Sequence, residues 1–188
     1  MFFFKTYLHK IVRYDLINTF VYQNLNQIPM LKKIILSFGF RKSNFKYLIS
    51  SLLALEFISF KKGKITKSKR LDVFLKIKKG NPTGCKIVLK KDAMYFFYIK
   101  LLTLIFSKNK QPKRQQFKWN TKCIKSVSLY LKSPLIFAEL ESQFQYFKDL
   151  PSLNITLVTN SRSQKELFFL FKSIKFIVMA NVTQFGRV

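Results

Sequence analysis

The residues best suited to chemistry in this sequence are clustered cations. Six lie within positions 61–70 and six more follow up to position 91, while Asp72 is the one acidic residue in that stretch. Lysine ammonium groups bind phosphate oxygens without reading a base sequence, and counterions are released as they bind. The pattern therefore indicates a polyanionic partner. The cations are Lys61, Lys62, Lys64, Lys67, Lys69, Arg70, Lys76, Lys78, Lys79, Lys86, Lys90 and Lys91.

The whole chain shares this imbalance. Its 188 residues include 35 Lys and Arg against 8 Asp and Glu, which gives a formal net charge of +27. Hydrophobic residues make up 48% of the chain, enough for a core, so an intrinsically disordered chain is excluded. A folded domain with this charge repels itself, and nucleic acid or an anionic membrane surface would offset the repulsion.

Residues for catalysis are sparse. His9 is the single histidine, and Glu139 and Glu141 are the one pair of acidic residues close in sequence. Cys85 and Cys123 lie far apart and form no metal-binding motif. A nuclease would need clustered carboxylates, which the sequence lacks. We therefore expect no enzyme activity, no cofactor and no metal site.

Hydrophobic periodicity predicts a single α+β domain over residues 1–188, with a mostly antiparallel sheet covered by helices on one face. The other face would be free for a partner. A basic hairpin over about 72–91 and an exposed basic loop over about 107–121 carry much of the charge. We predict helices over 5–23, 45–59, 94–106 (with Asp92 as N-cap) and 163–174, and strands over 31–38, 73–77, 87–89, 124–131 and 153–159.

A membrane-spanning role is not supported by the pattern, because no apolar run reaches the roughly 18 residues that a spanning helix needs. The N-terminal segment is nevertheless predicted to be a basic amphipathic helix, with Leu8, Ile11, Val12, Leu16 and Ile17 at helical spacing and Phe20 and Val21 continuing the stripe. A basic protein that lies on a membrane surface is therefore the alternative to a nucleic-acid-binding protein.

The middle of the chain resembles the large-subunit ribosomal protein five family, which binds 5S rRNA. The motifs are S-L-L-A-L-E-F-I at 51–58, I-T-K-S-K-R at 65–70, K-I-K-K-G-N-P-T-G-C-K at 76–86 and M-Y at 94–95. The family has A-L-E-L-I-T-G, I-T-K-A-K-K-S, F-K-I-R-x-G-x-P-I-G and M-x-x-F in their places. Weaker similarity at 27–39, 135–140 and 154–159 extends the resemblance over about residues 14–176.

The resemblance implies a structural protein of the central protuberance of the large ribosomal subunit. Its implied partners are large-subunit rRNA, 5S rRNA if the ribosome has one, P-site tRNA, small-subunit head protein thirteen and neighbouring ribosomal proteins. The implied rRNA-binding residues are Ser37, Gly39, Lys61, Lys62, Thr66, Lys67, Lys69 and Arg70. The implied P-site tRNA loop consists of Lys76, Lys78, Lys79, Gly80, Pro82, Gly84 and Lys86.

The sequence departs from the family pattern at four places. Ser37 replaces an asparagine of the first strand, residues 60–63 (F-K-K-G) replace a Gly-Gln-Lys-Pro turn, Val88 replaces a threonine, and a Lys-rich stretch over 108–120 replaces a glycine-rich loop. The bias toward Lys, Phe, Ile and Asn is typical of an A/T-rich organelle genome. We therefore predict a mitochondrial ribosome, with a plastid ribosome as the alternative.

Overall fold

The computed structural model describes residues 2–40, 45–107 and 117–174. Its helices are α1 (Phe2–Tyr7), α2 (Arg13–Thr19), α3 (Phe45–Ser59), α4 (Lys91–Ser107), α5 (Ala138–Glu141), α6 (Phe144–Phe147) and α7 (Gln164–Ser173). Its strands are β1 (Leu31–Gly39), β2 (Lys64–Lys67), β3 (Pro82–Leu89), β4 (Phe117–Cys123), β5 (Ser126–Leu131) and β6 (Leu153–Thr159). The strands form one sheet in the order β2-β3-β1-β6-β5-β4, and each neighbouring pair is antiparallel.

The two faces of the sheet differ in the way that the fold prediction requires. Along β1, Ile34, Leu36 and Phe38 are buried, whereas Ile35 and Ser37 between them are only half-buried. The same alternation runs along β6 and β5, because successive side chains of a strand point to opposite faces. The buried face packs against the helices, so the α+β prediction with helices on one face is confirmed. We call the other side the open face.

Apolar packing holds the helices on the sheet, and one lysine joins three of the helices to one another. α3 packs on β3 and β1, and α4 packs on β1. Lys100 of α4 forms a 2.6 Å ion pair with Glu139 and donates a 3.1 Å hydrogen bond to the carbonyl of Ile58 at the end of α3. Its ammonium group also lies 5.6 Å and 5.5 Å from the ring centres of Phe60 and Phe137. This cation therefore joins α3, α4 and α5.

The N-terminal helical segment is docked on the core. A π-helical stretch, Leu8–Val12, joins α1 to α2, and Leu8, Val12 and Leu16 are buried. The hydroxyl of Tyr7 donates to the carbonyl of Ser173 at 2.9 Å. Three residues of the apolar stripe on which the membrane-surface alternative rested, Leu8, Val12 and Leu16, are thus used inside the protein, whereas Ile11, Ile17 and Val21 of that stripe are exposed. None of the helices in the described residues is long and apolar enough to cross a membrane.

The predicted elements with strong periodicity are confirmed. Residues 45–59 form α3 and 153–159 form β6, and β1 extends the predicted strand by one residue, to Gly39. Ser163 caps α7 in a reciprocal pair: its hydroxyl accepts from the amide of Glu166, and the Glu166 carboxylate accepts from the amide of Ser163. This arrangement, a capping box, gives hydrogen-bond partners to two backbone amides that the helix itself leaves unpaired.

The predicted basic hairpin over 72–91 forms with a different first strand. Residues 73–77 are not a strand. β2 pairs with β3 instead, and the chain between them folds back on itself through two hydrogen bonds between Asp72 and Ile77. Lys76 has a positive φ of 54°, which interrupts the extended conformation that the alternating pattern suggested. The hairpin is therefore β2–β3 with a long connection over residues 68–81, the hairpin loop.

Four other boundaries also differ from the sequence prediction. The N-terminal helical segment ends at Thr19 and not near residue 23, because Phe20 is extended. α4 begins one residue before Asp92, which lies in its first turn and is not its N-cap. β5 begins at Ser126 and not at residue 124. Of the predicted basic loop over 107–121, Ser107 ends α4 and residues 117–121 belong to β4, while 108–116 lie outside the described residues.

Candidate nucleic-acid interface

The open face carries a row of polar and cationic residues that crosses five strands. Directly paired residues of antiparallel strands lie side by side on the same face. In this row Lys86 of β3 pairs with Lys64 and with Ser37, and Asn154 of β6 pairs with Ser37 and with Tyr130. Strands are about 4.8 Å apart, so the row spans about 19 Å. It places two lysines beside three hydrogen-bonding side chains.

A second row of the open face is more neutral. It pairs Val88 with Ile35, Ile35 with Thr156, and Thr156 with Ser128. The hydroxyls of Thr156 and Ser128 form a 3.2 Å hydrogen bond with each other across the two strands. This second row is therefore apolar at Val88 and Ile35, and its two hydroxyl groups bond to each other. It offers a partner contact area but no charge.

Asn154 has the one open-face side chain with a buried oxygen that lacks a hydrogen-bond partner among the described residues. Burying such an oxygen without a donor costs free energy, which a donor from outside the protein would recover. Because the neighbours of Asn154 in the row are Ser37 and Tyr130, the oxygen lies among other hydrogen-bonding groups of the open face. The position is suited to accept from an N–H or a hydroxyl of a ligand.

At the β2–β3 edge, small residues let three strands approach closely. Gly84 pairs with Thr66 on one side and with Gly39 on the other. A Cβ atom on Gly84 would overlap the carbonyl oxygen of Phe38 and crowd the Thr66 hydroxyl, whereas one on Gly39 would meet nothing within 4 Å. Gly84 is therefore needed by the packing of its own sheet.

The hairpin loop has an ordered base and tip. The amides of Ser68 and Gly80 donate to the carbonyls of Asn81 and Ser68 at 2.8 Å and 3.0 Å, which closes the base. Gly80 has a φ of 90°, a conformation that favours glycine. At the tip the Asp72 carboxylate accepts from the amide of Leu75, and Phe74 is fully exposed. Ordered loops lose less conformational entropy when they bind a partner.

The cations around this interface are available to a ligand. Among the described residues, the recorded ion pairs are Lys5–Asp92 and Lys100–Glu139, and neither includes a lysine of the hairpin or its loop. These side chains therefore point into solvent with their charge unneutralised by carboxylates in the described structure. The exposed cations are Lys61, Lys62, Lys64, Lys67, Lys69, Arg70, Lys76, Lys78, Lys79 and Lys86.

The structure separates the predicted site residues into three groups. Ser37, Gly39, Thr66, Pro82, Gly84 and Lys86 lie in β1, β2 and β3, so three residues of the implied tRNA-contacting set, Pro82, Gly84 and Lys86, lie in a strand and not in the connection between β2 and β3. Lys69, Arg70, Lys76, Lys78, Lys79 and Gly80 lie in the hairpin loop, at whose start Lys67 ends β2. Lys61 and Lys62 follow the end of α3.

The sequence did not predict that β5 and β6 contribute residues to the open face. Asn154, Thr156, Ser128 and Tyr130 were assigned to strands and given no role. The available signal was the alternation of β6, in which Asn154 and Thr156 occupy the positions between buried residues. It could not show that these positions continue the row of Ser37 and Lys86.

The next question is whether the described residues contain side chains that could bind a metal ion or act as a nucleophile. They contain no group of three or more His, Cys, Asp or Glu side chains that could hold a metal ion. One carboxylate oxygen of Glu139 forms a 2.6 Å ion pair with Lys100, an interaction that a metal site shared with Glu141 would have to compete with. Burial raises the pKa of the Cys85 thiol, which donates to the Ser51 hydroxyl at 3.2 Å, so this cysteine is an unreactive core residue.

Comparisons with known proteins find relatives that match most of the chain. The chain is 34% identical over 164 residues to the large ribosomal subunit protein uL5m of Reclinomonas americana, which covers 86% of this chain and 90% of that protein. It is 30% identical over 185 residues to uL5 of Blochmanniella floridana, covering 94% and 93%. It is 32% identical over 160 residues to uL5c of Mesostigma viride, covering 82% and 83%.

No family model matches the chain. The three relatives nevertheless span nearly its whole length at 30% identity or more, and their names cover mitochondrial, bacterial and chloroplast versions of one protein. The resemblance noted in the sequence is thereby confirmed. The chain belongs to the uL5 family of structural proteins of the large ribosomal subunit.

Proposed function

We propose that the chain binds rRNA through the open face and the hairpin loop, as part of the central protuberance of a large ribosomal subunit. The observation that carries this proposal is the row of Lys64, Lys86, Ser37 and Asn154 next to a loop of unpaired cations. Lysines supply sequence-independent phosphate binding, and the hydroxyl and amide groups between them supply hydrogen bonds to sugars or bases. Where the ribosome has a 5S rRNA, that RNA is its ligand on this face.

The hairpin loop is proposed to contact P-site tRNA. Its base is closed by backbone hydrogen bonds, and Lys76, Lys78 and Lys79 are exposed around Gly80. A rigid cationic projection suits a contact with tRNA that must form and break in every elongation cycle, because electrostatic contacts form quickly and need no reordering of the loop. The other proposed partners are small-subunit head protein thirteen and neighbouring ribosomal proteins.

The ribosome is proposed to be mitochondrial, with a plastid ribosome as the alternative. The support is the residue bias of the sequence, together with 34% identity to a protein named as a mitochondrial form. The plastid remains the alternative because the chain is similarly identical to a protein named as a chloroplast form. Fractionation of mitochondria and plastids, with detection of the protein in the large-subunit peak of one of them, distinguishes the two.

The rRNA proposal is tested by the salt dependence of binding. If about six phosphates are neutralised, the logarithm of affinity for an rRNA fragment falls with the logarithm of salt concentration with a slope of about −5. Lys86→Gln removes one phosphate contact of the row, so the slope becomes less steep by almost one. Lys148→Gln makes the same change at an exposed position in the helix layer and leaves the slope unchanged. Equal slopes for Lys86→Gln and Lys148→Gln would contradict the proposal.

A further inference from the structure

The outward side of α3 is apolar, which the proposed RNA contacts do not explain. Phe45, Ile49, Leu53 and Phe57 follow one another at intervals of four residues and are 72%, 43%, 45% and 40% exposed. The inward side of the same helix is buried through Leu48, Ser51, Ala54, Leu55 and Ile58. An ordinary surface helix has a polar outward side, and contiguous apolar exposure marks a contact surface. We call these four residues the α3 stripe.

Unlike the hairpin and its loop, α3 carries no excess of positive charge. α3 contains one lysine, Lys46, and one acidic residue, Glu56, so its net charge is zero in a chain of net charge +27. One carboxylate oxygen of Glu56 accepts a 2.9 Å hydrogen bond from the amide of Gly63, so the side chain is held at the helix end. RNA and anionic membranes are bound through clustered cations, whereas α3 has no cation after Lys46, and Lys61 and Lys62 lie beyond its end. The surface therefore suits an uncharged, apolar protein partner.

The spacing of the stripe also indicates the shape of that partner. Residues four apart form a ridge on a helix, and from Phe45 to Phe57 this ridge is about 18 Å long at 1.5 Å per residue. Such a ridge packs into the groove between corresponding ridges of a second helix, at a crossing angle of about 50°. The far end of the ridge is fixed, because the Phe57 ring packs edge-on against Phe147 at 5.9 Å. A flexible apolar peptide would not require such a ridge.

We propose that the α3 stripe binds an amphipathic α-helix of another protein of the large subunit, which crosses α3 with its apolar side. The proposal requires that the chain is a large-subunit protein, but it does not rest on the RNA contacts proposed above. It assigns the two exposed sides of the molecule to different classes of partner: RNA at the open face and protein at the α3 stripe.

Photo-crosslinking in assembled large subunits tests this assignment. A benzophenone-bearing phenylalanine analogue replaces Phe45, which is an exposed aromatic at the start of the stripe. We expect irradiation to join it to one peptide of another subunit protein, and mass spectrometry to show apolar residues in that peptide at intervals of three and four. The same analogue at Phe74, in the hairpin loop, is the positional control and should give no crosslink to that peptide.

Two matched substitutions show whether the crosslink depends on the stripe. Leu53→Glu places a charge in the middle of the stripe and should lower the crosslink yield from position 45 at least tenfold. Val73→Glu makes the corresponding change at a 74% exposed position of the hairpin loop and should leave the yield unchanged. Leu53→Gln serves in the same comparison if Leu53→Glu fails to enter subunits, with an expected loss of at least threefold.

Several outcomes would overturn the proposal. These are a crosslink from position 45 to rRNA, to lipid or to a second copy of this chain, a crosslinked peptide without helical apolar spacing, or no crosslink in intact subunits. An equal loss with Leu53→Glu and Val73→Glu would also overturn it. Failure of the salt-dependence experiment with Lys86→Gln leaves this result unaffected, so the two proposals are tested separately.

Discussion

The open face with its hairpin and the α3 stripe are both exposed, yet they differ in charge. Residues 61–91 carry twelve cations and one acidic residue, whereas the fifteen residues of α3 carry one of each. The net charge of +27 is therefore an average over a strongly uneven surface. The comparison teaches that the average charge of a basic protein does not describe each of its surfaces, because a neutral helix and a strongly cationic hairpin can lie on the same domain.

The two regions also differ in what fixes their shape. The open face depends on close approach of β2, β3 and β1, which small residues permit. The α3 stripe depends on a helix that is fastened at its end by the interactions of Lys100.

The largest effect is expected from Gly84→Ala. Its Cβ would overlap the Phe38 carbonyl oxygen, so β1 and β3 must separate, and we expect the free energy of unfolding to fall by about 3 kcal/mol, together with weaker rRNA binding. Gly39→Ala is the matched control, because Gly39 pairs with Gly84 and has open space around it. It should cost less than about 1 kcal/mol. Urea unfolding of both variants gives the comparison, and equal losses would show that close strand approach is not the cause.

The next effect tests the fastening of α3. Lys100→Met removes the 2.6 Å ion pair with Glu139 and the hydrogen bond to the Ile58 carbonyl, and it leaves a half-buried carboxylate without its cation. We expect a loss of about 2 kcal/mol, less than for a fully buried pair because Glu139 is about one-third exposed.

Lys5→Met is the control for Lys100→Met. Lys5 lies 3.8 Å from Asp92, and both side chains are at least half exposed, so the loss should stay below about 1 kcal/mol. Thermal unfolding of the two variants under the same salt conditions makes the measurement. If Lys5→Met costs as much as Lys100→Met, burial does not explain the strength of the Lys100 interactions.

The elements that could be predicted from the sequence are those whose pattern is local. α3 and β6 each show their own periodicity, and the structure gives the predicted bounds. β2 could not be predicted in this way, because Lys64–Lys67 contains no apolar alternation and becomes a strand only by pairing with β3. Conversely, apolar and polar residues alternate over 73–77, but this segment forms no strand. β3 is already paired with β1 and β2, so it has no free edge for the segment.

The same distinction explains which site residues were predictable. The cations of the hairpin are clustered in sequence, so their number alone indicated phosphate binding. Asn154 lies more than a hundred residues from Ser37, and only the insertion of β1 between β3 and β6 places the two side by side. The exposure of the α3 stripe was also beyond the sequence, because an apolar helix gives no sign of which side faces the core.

The smallest effect on stability should come from Asn154→Val, and it separates binding from folding on the open face. The change removes a buried oxygen that has no partner in the described structure, and valine favours the strand. We expect the free energy of unfolding to stay the same or rise by less than about 1 kcal/mol. If that oxygen accepts a hydrogen bond from rRNA, affinity should nevertheless fall roughly tenfold, which corresponds to about 1.4 kcal/mol.

The control for Asn154→Val is Asn18→Ala, which removes an exposed amide side chain from α2 and should leave rRNA affinity unchanged. Affinity measured by filter binding, beside urea unfolding of the same preparations, gives both quantities. Lower stability with unchanged affinity would mean that Asn154 serves the sheet and not a ligand. Unchanged stability with lower affinity would mean that the open face keeps an unsatisfied oxygen because a partner outside the chain satisfies it, which is the property that the α3 stripe lacks.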